Sequence, residues 1–463
     1  LQNKSMDAPV LLILEDAHWL DSSSWVLLHK IVERNPQALV LIAARPLSAP
    51  VPPEYTRLLE RPDCRHLMLE AMTADDVGTL ICQRLGVKSM PPAVTRFINE
   101  KAEGQPFFSE ELALALRDTG LIQVSRGECR LAPGVDDLYA LDIPNTIQGV
   151  ITSRIDRLPP PHQLTLKVAS IIGRIFTYHI LQGVHPIGSD RPQLHDYLDG
   201  LTRLDITRLN TPEPELAYMF KHIITQEVAY NLMLFTQRQQ LHRAVAEWYE
   251  LRYAADLSPY YSLLAHHWSR AAEDPQAPAF VRFKAMDYFD QAGEQALRSS
   301  AYKEAIDFFE KAMALEPHYT ESAAAPGHRQ SKDIHRRARR YLNLGEALRN
   351  WGRASDSRKY LEQAAALYGY PVPASTREAI DKLLGQIARQ VLHRLRPARY
   401  LGRVAEAEKT ILSETGHVYQ LMSEIFFFTN ETLLSLYTAV LSLNLWELIG
   451  LQRGWPRRIP SWA

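Results

Sequence analysis

The sequence predicts an α/β segment followed by an all-α remainder, and three observations lead there. Two short apolar runs, Val10–Leu14 and Ala38–Ala44, flank a stretch whose apolar residues recur at helical spacing. Beyond about Ser262 the apolar pattern is helical throughout. Within that region the chain repeats itself: Phe289, Gly293, Ala305, Phe309, Ala312 and Pro317 are answered by Tyr341, Leu344, Gly345, Ser357, Leu361 and Ala364.

At 463 residues the chain is long enough for roughly three domains. Its 46% hydrophobic and 23% charged residues are ordinary for globular protein, and a net charge of −1 offers no electrostatic footprint for nucleic acid or an anionic membrane. Cys64, Cys82 and Cys129 lack any paired spacing. They predict a reducing, cytoplasmic setting with neither a disulfide framework nor a cysteine metal site. The most apolar late stretch, Ile425 to Ile449, is broken by Asn430, Glu431, Asn444 and Glu447, so buried helices rather than a membrane span are expected.

Taken in order, Val10–Leu14 reads as a strand buried on both faces and closed by Glu15-Asp16. Asp21 and Ser22–Ser24 then cap a helix carrying Trp25, Leu28, Ile31 and Val32 on one side. Strand, acidic tip and helix is the layout of an open α/β nucleotide site, where carboxylates hold a hydrated Mg²⁺ and orient a water beside a phosphate. Any α/β strand that happens to end in Glu-Asp has the same look. The second strand, Ala38–Ala44, ends in Arg45-Pro46, a cation where the first carried acids. A proline-rich loop and a short third strand, His66–Leu69, follow, then a helix capped at Thr73 with Asp75 and Asp76 in its first turn. Leu121–Val124 and Cys129–Leu131 around Gly127 predict a hairpin.

Ile143-Pro144 marks a boundary. Helices over Thr146–Leu158 and Pro161–Ile172 precede two strand-like runs, Asp205–Leu209 and Leu216–Phe220, on either side of Asn210-Thr211-Pro212-Glu213-Pro214. Helices followed by an antiparallel wing predict a winged-helix-like module. Because the wing carries Glu213 and Glu215 beside few cations, it is expected to pack protein rather than bind DNA. The repeat matches the tetratricopeptide helix pair of about 34 residues. Gly293 and Gly345 are 52 apart, so about 18 residues near 321–333 are inserted, and degenerate neighbours at 262–282 and 378–450 are expected to complete the array. The basic run His335–Arg340 is expected to be a solvated helix face.

Glu15-Asp16, Arg45, Gly104-Gln105-Pro106 and the downstream repeats together resemble the signal-transduction ATPases with numerous domains (STAND), a P-loop NTPase class related to AAA+ proteins. The resemblance implies that the first strand is Walker B, with Glu15 on the Mg²⁺ side through water and Asp16 polarising the attacking water. It implies that Arg45 is the sensor-1 arginine reading the γ-phosphate. It further implies that Gly104-Gln105-Pro106 is the G-x-P element whose proline packs on adenine. The stretch Phe220-Lys221-His222-Ile223-Ile224-Thr225-Gln226-Glu227-Val228-Ala229-Tyr230 resembles a signature of ATPase–repeat proteins fused to class III nucleotide cyclases, and Phe426–Leu433 resembles late repeats of the soluble adenylyl cyclase branch.

One part of the pattern is missing. A P-loop needs G-x-x-x-x-G-K-[ST], and the first glycine here is Gly78, well past Walker B. The sequence thus reads as N-terminally truncated, with a central strand lost from the sheet, strands 39–44 and 66–69 left without partners, and weak ATP binding. No cyclase catalytic pattern is present, and Gln452–Pro460 departs from the repeats as an unrelated tail.

The resulting domain expectations are 1–70 for the C-terminal part of an NTPase core, 71–140 for a helical lid, 141–255 for a winged-helix-like module and 256–463 for a tetratricopeptide-like α-solenoid. The function expected is an ATP- and Mg²⁺-dependent switch coupled to a protein-binding array and to a fused or associated nucleotide cyclase. The alternative is a non-enzymatic repeat scaffold with a vestigial NTPase remnant. A transcription regulator of the maltose-activator type would need a C-terminal DNA-reading helix-turn-helix, and Trp446–Ala463 offers none.

Overall fold

The computed structural model describes residues 10–450 apart from 48, 50, 134, 136–137, 140–142, 213–214, 275, 323–327, 401 and 403. The chain divides into two compact units: Arg65–Ala277, and the described parts of Leu1–Cys64 and Pro278–Ala463. Gln452–Pro460 lies outside the described residues.

Strands β1 (Val10–Leu14) and β2 (Ala38–Ile42) pair in parallel, Val10 opposite Ala38 through Leu14 opposite Ile42. Helix α1 (Ser22–Arg34) crosses between them, its N-terminus held by Asp21, whose carboxylate accepts from Ser24 N–H at 2.6 Å. Leu12, Leu14, Val40 and Ile42 pack on Ala17, Trp25, Leu28 and Leu58, the last from helix α2 (Pro53–Leu59). The other face is not buried as the sequence predicted: Leu11, Ile13, Leu39 and Leu41 are exposed, Leu39 at 68%. Among the described residues, helices cover one side of this pair only, whereas a parallel sheet is ordinarily covered on both. His66–Leu69 forms no strand, and Leu69 is 97% exposed. An isolated extended segment with no neighbour to complete a ladder stays unpaired.

Unit Arg65–Ala277 begins with helices α3 (Ala74–Leu85), α4 (Pro92–Ala102) and α5 (Pro106–Asp118). The predicted hairpin forms from β3 (Ile122–Ser125) and β4 (Glu128–Leu131), with Arg126 (φ 53°) and Gly127 (φ 77°) supplying the left-handed pair that a two-residue loop needs. Apolar sides of these elements, Val77, Ile81, Phe97, Ile98, Leu112 and Leu116 among them, make one core.

Helices α6 (Ile147–Asp156) and α7 (Pro160–Ile172) lead into β5 (Ile175–Thr177), α8 (Tyr178–Val184), α9 (Leu194–Arg203), β6 (Thr207–Thr211) and β7 (Ala217–Phe220). The three strands form an antiparallel sheet in the order β5-β7-β6, with a bulge between Leu209 and Thr211. Of the predicted wing, Glu213 and Pro214 lie outside the described residues. Helices α10 (Ile223–Asn231), α11 (Phe235–Arg252) and α12 (Tyr261–Ala271) complete the unit.

The helical array is α13 (Ala279–Arg298), α14 (Tyr302–Ser322), α15 (His328–Asn350), α16 (Ala354–Leu367), α17 (Thr376–Leu395), the short α18 (Pro397–Tyr400), α19 (Glu406–Phe428) and α20 (Thr432–Leu448). Three helix pairs share one contact. A Cβ at Gly293 would lie 2.7 Å from the Phe309 ring, and one at Gly345 would lie 2.7 Å from Leu361, so both glycines are fixed by close helix approach. Ser357 stands where alanine is usual because its hydroxyl donates to Gly345 O at 2.7 Å. The pair α19 and α20 repeats this geometry: Ser442 donates to Gly416 O at 2.8 Å, and a Cβ on Gly416 would meet Trp446 at 3.2 Å. Sequence reading left this copy among the degenerate neighbours because its spacing is stretched. The glycine-to-serine step runs from 345 to 357 in one pair and from 416 to 442 in the other.

The basic run is a solvated face only in part: Arg337 and Arg339 are exposed, while Arg336 and Arg340 turn inward. Arg340 is fully buried and forked onto Asp290 at 2.6 and 2.7 Å with Glu316 at 3.6 Å, while Arg339 reaches Glu294 at 2.9 Å and Arg336 covers the Phe283 ring at 4.5 Å. Carboxylates on α13 and α14 hold Arg340 inside, and those partners, Asp290 and Glu316, lie about 20 to 50 residues upstream, beyond any local charge pattern.

Candidate functional site

Glu15 and Asp16 leave the end of β1, and Asp16 adopts a left-handed backbone (φ 52°) that turns the chain into Ala17–Trp19. The end of β2 is fastened alongside. Ala43 N–H donates to Leu14 O at 2.8 Å, Ala17 N–H donates to Ala43 O at 2.9 Å, and Arg45 N–H donates to His18 Nδ1 at 3.4 Å. Three of the residues singled out in the sequence, Glu15, Asp16 and Arg45, are thereby brought to two adjoining strand ends, with Glu15 and Arg45 exposed and Asp16 half-buried.

Gly104 and Pro106 belong to the other unit. Gly104 lies two residues past the end of α4 with φ +70°, and a Cβ there would sit 2.5 Å from Met72 O, while its own carbonyl accepts from Met72 N–H at 2.9 Å. Only glycine meets both demands. Pro106 opens α5 at its first position and is exposed.

The residue after it makes a contact that sequence reasoning missed. Phe107 stacks on His222, ring centres 3.7 Å apart at 27°. The G-x-P element and the Phe220–Tyr230 stretch therefore meet. The two stretches lie more than 100 residues apart, and nothing in their spacing joins them.

Around that stack, Asp205 accepts from both Lys221 and Arg84, and Arg84 also approaches Glu110 at 3.4 Å. Burial alone would raise the Asp205 carboxyl, but the Lys221 and Arg84 hydrogen bonds outweigh it and leave it below the usual carboxylate range. Burial, with the Lys221 charge adding to it, pushes His222 down to about 4, so the stacked imidazole is neutral near pH 7. The rest of the stretch is equally committed. Phe220 is fully buried, Gln226 donates to Ser170 O at 3.0 Å, and Tyr230 Oη contacts His242 Nε2 at 3.1 Å. Glu111 and Arg154 add a buried ion pair linking α5 to α6, and Arg154 also donates to Leu204 O at 3.0 Å.

A cavity of ≈ 700 Å³ in the same unit is lined by residues including Lys167, His185, Arg191, Met233 and Trp248, none of them among the predicted site residues.

Residues 73–130 match a family described as a domain of unknown function (DUF8739). Among solved structures, the chain is similar to a Signal Transduction ATPase with Numerous Domains protein with a tetratricopeptide repeat sensor from Pyrococcus horikoshii. That likeness has a TM-score of 0.36 at 10% identity and covers 95% of this chain and 70% of that one. By sequence it is similar to an uncharacterized protein of Rhizobium meliloti (strain 1021), 25% identical over 340 residues, which is 68% of this chain and 29% of that protein. It is also similar to adenylate cyclase type 10 of Oryctolagus cuniculus, 20% identical over 223 residues, 40% of this chain and 14% of that enzyme. The chain thus spans less than a third of the length of either relative. Among the described residues no helix is long and apolar enough to cross a membrane.

Proposed function

We propose that this chain is a regulatory segment of a signal-transduction ATPase, an ATP-dependent switch coupled to a repeat array that binds protein. One observation carries the reading: parallel pairing of β1 and β2 holds Glu15-Asp16 and Arg45 at adjoining carboxyl ends, the side of an α/β sheet where ligands bind. In this reading Glu15 holds Mg²⁺ through water, Asp16 polarises the attacking water and Arg45 reads the γ-phosphate. Gly104 lets the chain turn so that Pro106 faces adenine. The donor set fits Mg²⁺–phosphate chemistry, while the backbone grip on the phosphates needs a glycine-rich loop this sequence does not contain.

The helix–strand–helix–helix–hairpin order of residues 160–220 supports a winged-helix module, and the Phe107–His222 stack supports its coupling to the lid. The three glycine-locked helix pairs support a tetratricopeptide-like solenoid. On α17, Ile380, Leu384, Ile387, Val391 and Leu395 form an exposed apolar stripe at helical spacing, which supports a protein partner rather than nucleic acid. The partial likeness to adenylate cyclase type 10 favours a nucleotide cyclase, fused or associated, as the output. The free thiols Cys64, Cys82 and Cys129 favour the cytoplasm.

The test is ATP affinity and hydrolysis, measured on this chain and on a longer gene product containing it. The longer product should bind ATP much more tightly, and Asp16→Asn and Arg45→Ala should each slow hydrolysis by about 10-fold or more with binding retained. If the longer product binds no ATP, the switch is wrong. The second reading then stands: a non-enzymatic repeat scaffold with a vestigial NTPase remnant, favoured by the half-covered β1–β2 pair and the unpaired 66–69 segment.

A further inference from the structure

We infer that His242, His266 and His267 form a site for a divalent transition-metal ion, zinc by the nature of the donors, clamping α11 to α12. The three imidazoles make a near-equilateral triangle. Ring centres are 5.6 Å apart for His242 and His266, 5.1 Å for His242 and His267, and 5.2 Å for His266 and His267. One donor nitrogen from each lies within 4.8 Å of the others. Three imidazoles on a tetrahedral zinc, with Zn–N of about 2.0–2.1 Å, place their ring centres about 5 Å apart, so the rings already stand where the ion needs them.

The closest approach points the same way. Nδ1 of His242 faces Nδ1 of His267 at 2.8 Å inside the unit, both residues being almost fully buried. Two imidazole nitrogens so placed meet lone pair to lone pair unless a proton or a cation lies between them. Ligand nitrogens around zinc stand about 3.3 Å apart, so the pair need open by only about 0.5 Å to admit the ion. Burial lowers both pKa values, with neighbouring imidazoles adding to the effect for each, so both rings are neutral, the form that ligates.

Tyr230 Oη at 3.1 Å from His242 Nε2 holds that nitrogen in a hydrogen bond and leaves Nδ1 as the donor to metal, the orientation that outer partners of ligating histidines impose. The nearby cations are engaged elsewhere: Arg238 lies over the Tyr230 ring at 5.0 Å and Arg270 pairs with Glu273 at 2.5 Å. His266 is exposed, so the ion enters from the surface and its fourth position is open to water.

The experiment is titration of the full 463-residue chain with zinc and, for its visible spectrum, with cobalt(II). One saturable equivalent is expected, with tetrahedral cobalt absorption and a zinc-dependent rise in Tm. His266→Ala removes an exposed ligand without touching the buried pair, and should weaken zinc by at least about 10-fold and abolish the cobalt bands. His267→Asn should do the same if it folds, and His266→Ala decides the matter if it does not. No saturable equivalent, or an affinity unchanged in His266→Ala, would assign any binding to other histidines and overturn the inference.

Discussion

Gly104 and Pro106 sit two residues apart and answer to different demands. The left-handed backbone and the 2.5 Å approach of Met72 O make Gly104→Ala a structural lesion, expected to destabilise Arg65–Ala277 by about 1–3 kcal/mol in denaturant unfolding. Pro106 is exposed at a first helical position, so Pro106→Ala should leave that unfolding curve nearly unmoved and, under the proposed function, show itself in nucleotide affinity. His222 is one source of pH dependence, alongside the buried His242 and His267, whose values burial also lowers. The folded value of His222, about 4, lies below the unfolded value of about 6.5, so the unfolded chain binds more protons between those limits. Stability therefore rises with pH through that window and falls on acidification from pH 6.5 toward 4. Tm measured across the window should show this slope, and His222→Phe should make it shallower. The sequence singles out Gly104, Pro106 and, within Phe220–Tyr230, His222. What it could not show was that His222 takes Phe107 as its partner, since ring stacking across more than 100 residues leaves no periodic trace.

At the scale of elements, local signals performed well and long-range ones poorly. The cap at Asp21, the prolines opening α5 and α7 and the Arg126-Gly127 loop are all written in neighbouring residues, and each element forms where they say. His66–Leu69 had strand-like residues but no partner, because pairing is a property of two segments. The apolar runs of β1 and β2 promised burial on both faces, yet among the described residues helices cover only one. This asymmetry predicts opposite outcomes for adjacent residues. Leu12→Ala, on the covered face, should cost about 2–4 kcal/mol by calorimetry. Leu39→Lys, on the open face, should leave Tm within about a degree or two and reduce self-association seen by light scattering.

For the whole molecule, the chain divides at Arg65 and Ala277 into two compact units. The residues expected to form the lid and the winged-helix-like module lie with α12 in one compact unit. Residues 65–277 expressed alone should unfold cooperatively and keep the acid slope to which His222, His242 and His267 contribute, which circular dichroism would check; a non-cooperative melt would refute the independence of that unit. The array has a different logic. Gly345 lies five residues before its helix ends at Asn350 and Gly416 twelve before Phe428; Ser357 lies three after Ala354 and Ser442 ten after Thr432. Each arm between the seam and the hairpin loop of the last pair is thus seven residues longer, about two turns, which returns the same side to the seam. Length in this solenoid is quantised. Excising seven residues from both arms of the α19–α20 hairpin should restore a compact pair, whereas removing four from each rotates the seam by about 40° against its partner and should unravel it.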